Sequence, residues 1–72
     1  MSEIVRAEMV ATVQQVLVAE GDPVAAGQPL VMLESMKLEV PVLAEDAGTI
    51  SQVAVGPGDV VQEGDVLAVI SD

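Results

Sequence analysis

VLVAEGDPVAAGQPL, residues 16–30, returns as VAVGPGDVVQEGDVL, residues 53–67. The two stretches belong to a longer match. Sliding the chain against itself by 37 residues aligns 4–35 with 41–72 without a gap, and twelve of the 32 pairs are identical. They include Thr12/Thr49, Gln15/Gln52, Gly21/Gly58, Asp22/Asp59, Gly27/Gly64 and Leu30/Leu67. A valine-rich chain matches itself at a few valines by chance. Shared glycine, aspartate, threonine and glutamine at one offset are much harder to obtain that way. Two copies are too few for a solenoid, whose repeats need neighbours on both sides. Neither half can bury its apolar face alone. The repeat therefore predicts two sheets packed face to face, each half supplying strands to both, related by a pseudo-twofold axis.

Outside the repeat, the composition points the same way. Fifteen valines, six leucines and three isoleucines, with no aromatic residue, make a thin core of largely β-branched side chains. Valine is stiff at χ1 and suits a pleated, half-buried surface. Six glycines and four prolines punctuate the apolar segments every few residues, as turns do. No long stretch keeps a helical apolar period free of Gly or Pro. The chain reads as all-β and as one domain, residues 1–72, with internal repeats at 4–35 and 41–72. Strands are expected near residues 3–6, 10–18, 23–26, 30–35, 38–43, 48–55, 60–62 and 66–70. The Gly-Asp pairs should form equivalent turns, with glycine at positive φ. Val13 falls out of phase with Val16 and Val18, as Ile50 does with Val53 and Val55. A β-bulge in each long strand would return all of them to the inner face and help the sandwich curl into a flattened barrel.

Composition also closes off functions. There is no cysteine and no histidine, which removes thiolate and imidazole metal sites, thiol nucleophiles and a Ser-His-Asp triad. Twelve acids against Arg6 and Lys37 give a net charge of −10. Nucleic-acid binding needs several phosphate-neutralising cations, so it is not expected. An anionic membrane surface would be repelled. The longest apolar run, Val66 to Ile70, has five residues, where a span needs about 20. No signal-peptide pattern opens the chain. The expected compartment is the cytoplasm, and an isolated domain of this kind is expected to be monomeric.

The repeat leaves Met36, Lys37, Leu38, Glu39 and Val40 unmatched, so the single lysine lies in the connector between the halves. Under the shift, position 37 maps just outside either terminus. The termini should therefore meet at one end, with Lys37 at the other. Leu30–Ser35 and Leu38–Leu43 read as the arms of a hairpin turning at Met36-Lys37. Glu34 then faces Glu39, and Leu33 faces Val40. Two-residue hairpins need positive φ and prefer Asn-Gly or Asp-Gly. Like charges directly opposite cost tenths of a kcal/mol, roughly. A poor turn pair and a repulsive cross-strand pair at one tip mark a candidate functional site. A lysine at a loop tip is usually only a solvated residue. Here that reading must also cover the absence of every other lysine and the apolar Met36 and Leu38 on an exposed tip.

A lone lysine can be a Schiff-base nucleophile, a proton-transfer group or an attachment point. The first two need a burying pocket, which a tip flanked by Glu34 and Glu39 does not promise. Gly56-Pro57-Gly58 is a turn and, without a following lysine and helix, not a P-loop. No pair of carboxylates stands out from the solvated acids. Attachment fits best. An ordinary lysine is almost wholly protonated near neutral pH, so a modifying enzyme has to bring the base.

Glu34-Ser35-Met36-Lys37-Leu38, followed by Val40-Pro41-Val42 and Gly48-Thr49-Ile50, resembles the biotin carboxyl carrier domain of the biotinyl/lipoyl family, whose motif is usually Glu-Ala/Ser-Met-Lys-Met. Leu38 departs from it by replacing the second Met with a similar flexible apolar group. The likeness covers nearly the whole chain, including Glu20-Gly21-Asp22 to Gly27 and Gly58-Asp59 to Gly64. It implies a flattened barrel of two four-stranded antiparallel sheets, a barrel-sandwich hybrid. It implies biotin in amide linkage to Lys37, attached by a biotin protein ligase that reads Met36 and Leu38, with Glu34 and Ser35 as further recognition residues. It also implies two enzymes that the swinging arm visits, a biotin carboxylase and a carboxyltransferase, while the chain itself catalyses neither step. Acetyl-CoA and propionyl-CoA carboxylases, and with them fatty acid biosynthesis, are the expected setting, with pyruvate and urea open as acceptors.

Two rivals share parts of this pattern. A lipoyl carrier of a 2-oxo acid dehydrogenase or glycine-cleavage system has the same fold and lysine, but typically Asp before the lysine and Ala after it. An unmodified adaptor of barrel-sandwich type carries long helical insertions at the tip, where this chain has five residues. Met36 and Leu38 favour biotin.

Overall fold

The computed structural model describes residues 2–72. Eight strands follow one another: β1 (Glu3–Arg6), β2 (Ala11–Val16), β3 (Pro23–Val24), β4 (Pro29–Ser35), β5 (Leu38–Leu43), β6 (Gly48–Val53), β7 (Val60–Val61) and β8 (Val66–Ser71). They form two four-stranded sheets, ordered β1-β8-β6-β3 and β5-β4-β2-β7. Every pairing is antiparallel. Renaming each strand by its counterpart four places along turns the first order into the second. The 37-residue offset is thus a pseudo-twofold axis that exchanges the sheets, as the repeat requires.

The bulges lie where the apolar phase changes. The β2–β4 register shifts between Val13 and Gln15, and the β6–β8 register between Ile50 and Gln52. Val13 and Ile50 are therefore both fully inside, with Val16 and Val53 packed against the same core. A second matched pair was not anticipated: the register also slips across Leu30 and across Leu67. That places Leu30 and Val31, neighbours in sequence, both in the core, and likewise Leu67 and Ala68. With Leu33, Ile50 and Ile70 these leucines are the largest fully buried side chains. Each contributes about 1.5–3 kcal/mol relative to exposure.

The loops repeat bond for bond. Asp22 Oδ2 accepts from Ala19 N at 2.9 Å, and Asp59 Oδ2 from Gly56 N at 2.8 Å. Gly21 N donates to Ile50 O at 2.8 Å, and Gly58 N to Val13 O at 2.8 Å. Gly21 and Gly58 share a φ of 92°, which an L-side chain adopts only at a cost. The side-chain bonds also explain why β2, β6, β3 and β7 are shorter than the sequence suggests. Asp22 and Asp59 close turns on the residues just past β2 and β6. Gln28 Oε1 and Asp65 Oδ2 do so past β3 and β7, taking the amides of Ala25 and Gln62.

One clamp is not repeated. Glu3 accepts from the amides of Glu45 and Asp46 at 3.2 and 3.1 Å, tying β1 to the β5–β6 loop. Its counterpart position holds Val40, which has no carboxylate. The clamp also locates the termini. Glu3 pairs with Ile70 and sits at the far end of β5, whose near end follows Lys37. Six residues of strand cover about 20 Å of a molecule measuring 34 × 18 × 17 Å. The described ends of the chain, Ser2 and Asp72, lie together at the end opposite Lys37.

Candidate functional site

β4 and β5 form the hairpin that carries Lys37. Its inner face is fixed by Leu33, which is buried, and by Val40, which packs against the core. The register is Leu33 with Val40, Glu34 with Glu39, and Ser35 with Leu38. This leaves Met36 and Lys37 as the two central residues of the turn. Their φ angles are 53° and 67°, and they are the only non-glycine residues at positive φ among those described. Positive φ at both central positions is the geometry of a type I′ turn, whose twist matches that of the flanking strands. The strands impose that turn on two residues poorly suited to it. Left-handed backbone costs an L-residue about 1–2 kcal/mol.

The turn presents its side chains outward. Met36 is 91% exposed and Leu38 68%. Lys37, Glu34 and Glu39 are exposed, and Ser35 is half-buried. The tip cannot draw its apolar groups inward, because the core behind it is already filled by Leu33. Glu39, Glu34, Thr12 and Val60 form a row across the outer face of the β5-β4-β2-β7 sheet, each paired with the next. The two acids flanking Lys37 therefore stand side by side. A concavity of about 490 Å³ runs between β1 and β5 and is lined by Ile4, Met9, Pro41 and Leu43 among others. Lys37 does not line it. The amine stands at the hairpin tip and outside that concavity, an arrangement suited to being reached by another enzyme's active site.

The structure thus brings all five candidate residues, Glu34, Ser35, Met36, Lys37 and Leu38, into one hairpin tip. It adds two that the sequence reading passed over. Met9 and Val10, in the β1–β2 loop, are 37% and 64% exposed. They precede Ala11 and Thr12, and Thr12 pairs with Glu34, so this loop lies beside the tip. The signal was present in the repeat. Met9 aligns with Asp46 and Val10 with Ala47, so the lysine end has the larger and more apolar side chain at both positions.

Comparison with known proteins places this arrangement among others. Residues 2–70 match the family model described as biotin-requiring enzyme. The chain is 59% identical over 71 residues to the biotinylated protein TB7.3 homolog of Mycobacterium leprae, covering 99% of this chain and all of that one. Among solved structures, the Kluyveromyces lactis urea carboxylase contains a segment that superposes with a TM-score of 0.92 at 32% identity over 99% of this chain. A single-chain, multi-domain long-chain acyl-CoA carboxylase does so with 0.91 at 40% identity over 97%. The chain spans only 6% and 7% of those two large proteins.

Proposed function

The chain belongs to the biotinyl/lipoyl family, and from that membership we propose that it is a biotin carrier whose attachment point is Lys37. The observation that carries the reading is the position of the only lysine. It is the second residue of a strained turn at the end of the molecule remote from the termini, between exposed Met36 and Leu38. The residues present fit the group. The amine projects from the fold, no hydrogen bond or ion pair ties it to the described residues, and the shape around it leaves an acylated arm free to move. Biotin supplies a ureido ring that takes up and releases a carboxyl group.

The chain's own residues hold and present that arm. The hairpin fixes the lysine backbone, and Met36 and Leu38 give a ligase apolar surface to read, with Glu34 and Ser35 beside them. We place the carrier between a biotin carboxylase and a carboxyltransferase. Tethering to one small domain raises the effective concentration of the arm at both active sites. The likeness to segments of two carboxylases supports that setting. The cytoplasm, where ligase and carboxylase substrates meet, is the proposed compartment. Biotin is preferred over lipoyl because Met36 and Leu38 stand where lipoyl carriers typically have Asp and Ala, and because a near-full-length relative is named as biotinylated.

The test is intact mass before and after incubation with an active biotin protein ligase, with fragmentation to locate the adduct. One biotin on Lys37 is expected. A lipoyl-sized increment in cells would favour the rival carrier, and no adduct, with the ligase active on a control, would end the carrier reading. Lys37→Arg should abolish incorporation and keep the melting temperature.

A further inference from the structure

The pseudo-twofold axis gives the protein an internal control. Outside the turn, residues at the lysine end have counterparts at the terminal end in matching strands and loops, so the two ends can be compared position by position. The loop hydrogen bonds are matched. Four of the departures lie around the lysine tip. Met9 replaces Asp46 and Val10 replaces Ala47. Glu34 stands where the other end has Ser71, and Glu39 where it has Ser2.

An enzyme that acylates Lys37 must cover more than the turn. A standard interface takes about 800 Å² from each partner, and the whole described surface is 4313 Å². The five tip residues do not offer that area, so the footprint has to spread onto a flank. Thr12 pairs with Glu34. Continuing that register, Ala11 lies level with Ser35 and Val10 beside the turn. The β1–β2 loop is therefore the neighbouring surface, and it carries exposed Met9 and Val10, with Val60 on the far side of Thr12. Exposed Met9, Val10, Met36 and Leu38 around an amine that another enzyme must reach are explained by a partner that covers them.

We propose that Met9 and Val10 form the second half of the biotin protein ligase docking surface. The ligase would rest an apolar shelf on them while basic side chains meet Glu34 and Glu39. The proposal builds on Lys37 as the attachment point. A second copy of this chain is a poor occupant, since it brings the same acids and a charge of −10.

The experiment transplants one end onto the other. Apo full-length chain, Met9→Asp with Val10→Ala, and the reciprocal Asp46→Met with Ala47→Val are compared as substrates of a biotin protein ligase. Initial rates give KM and kcat for each. Lys37→Arg versions of all three serve as unmodifiable competitors, which report binding without turnover. The lysine-end exchange should raise KM and the competitor's inhibition constant about tenfold, with kcat and melting temperature unchanged. The far-end exchange should leave both at the wild-type value. If the lysine-end variant melts early, Met9→Gln with Val10→Thr carries the same comparison. Unchanged KM, an equal rise in the far-end variant, or a fall in kcat alone would overturn the proposal. No incorporation into the unaltered chain would overturn the attachment reading itself, and this proposal with it.

Discussion

Six described residues hold their backbone at positive φ, and they fall into two groups. Gly21, Gly27, Gly58 and Gly64 turn four of the six loops within the halves, those on either side of β3 and of β7. Met36 and Lys37 turn the hairpin that joins the halves. The backbone task is similar in both, but the solutions are not. At the four glycines nothing lies within 4 Å of an added Cβ. Glycine is there for conformation and not for room. At the tip the same conformation is forced on two long side chains, where glycine would relieve the strain and remove the amine. The loops are built to hold the sheets, and the tip spends some of that stability on what it displays.

A different glycine sharpens this contrast with the largest expected effect. Gly48, at the start of β6, has an ordinary φ, yet a Cβ there would meet the backbone oxygen of Ser71 and, at 2.6 Å, the Ile70 Cγ2. It is glycine for room and not for conformation. Its counterpart, Ala11, carries a Cβ and is buried, so the axis is broken here by packing. Gly48→Ala should lower stability by about 1–3 kcal/mol through overpacking, read as a lower urea midpoint at constant slope. Ala11→Gly should cost only about 0.5–1 kcal/mol. Similar costs at the two positions would show that β8 yields easily to the added methyl.

Next in size are the loop glycines themselves. Gly21→Ala and Gly58→Ala should each cost about 1–2 kcal/mol, from left-handed backbone alone. Because both share one φ and matching hydrogen bonds, the two losses should agree within about 0.5 kcal/mol and add in the double variant. Chemical denaturation of the three chains measures this. A large inequality would break the equivalence of the halves that the topology displays.

The same reasoning explains how much could be read beforehand. Gly21/Gly58 and Asp22/Asp59 are identical pairs whose chemistry is local, so the turns and their offset announced the paired sheets. Val13 and Ile50 betrayed their bulges because the two-residue period fails visibly beside them. The bulges at Leu30 and Leu67 gave no such sign. Consecutive apolar residues such as Leu30-Val31 fit a strand buried on both faces as readily as a bulge. The clamp from Glu3 to the Glu45 and Asp46 amides is a long-range contact between an acid and backbone groups, which no spacing encodes. At the tip, Lys37 and its neighbours were legible because they fall outside the repeat. Met9 and Val10 were hidden inside it, as two mismatches among twenty, and became meaningful only when Thr12 was seen to pair with Glu34.

The smallest effect tests the tip directly, and its sign is opposite to the others. Replacing Met36-Lys37 with Asn-Gly supplies the pair that a type I′ turn prefers. The strain of two left-handed L-residues is relieved in part, since asparagine tolerates that region and glycine adopts it freely. The chain also loses exposed Met36 and one of its two positive charges, which leaves Glu34 and Glu39 without the nearby cation and offsets some of the gain. A net stabilisation of about 0.5–1 kcal/mol is expected, measured by thermal and urea unfolding of both chains at the same ionic strength. Measuring again at high salt removes most of the charge contribution, because exposed charges are screened over about 3 Å at 1 M. The stabilisation should therefore grow with salt. Equal stability at every salt concentration would mean that the turn carries no strain, and that the two groups of positive-φ residues differ in sequence but not in energy.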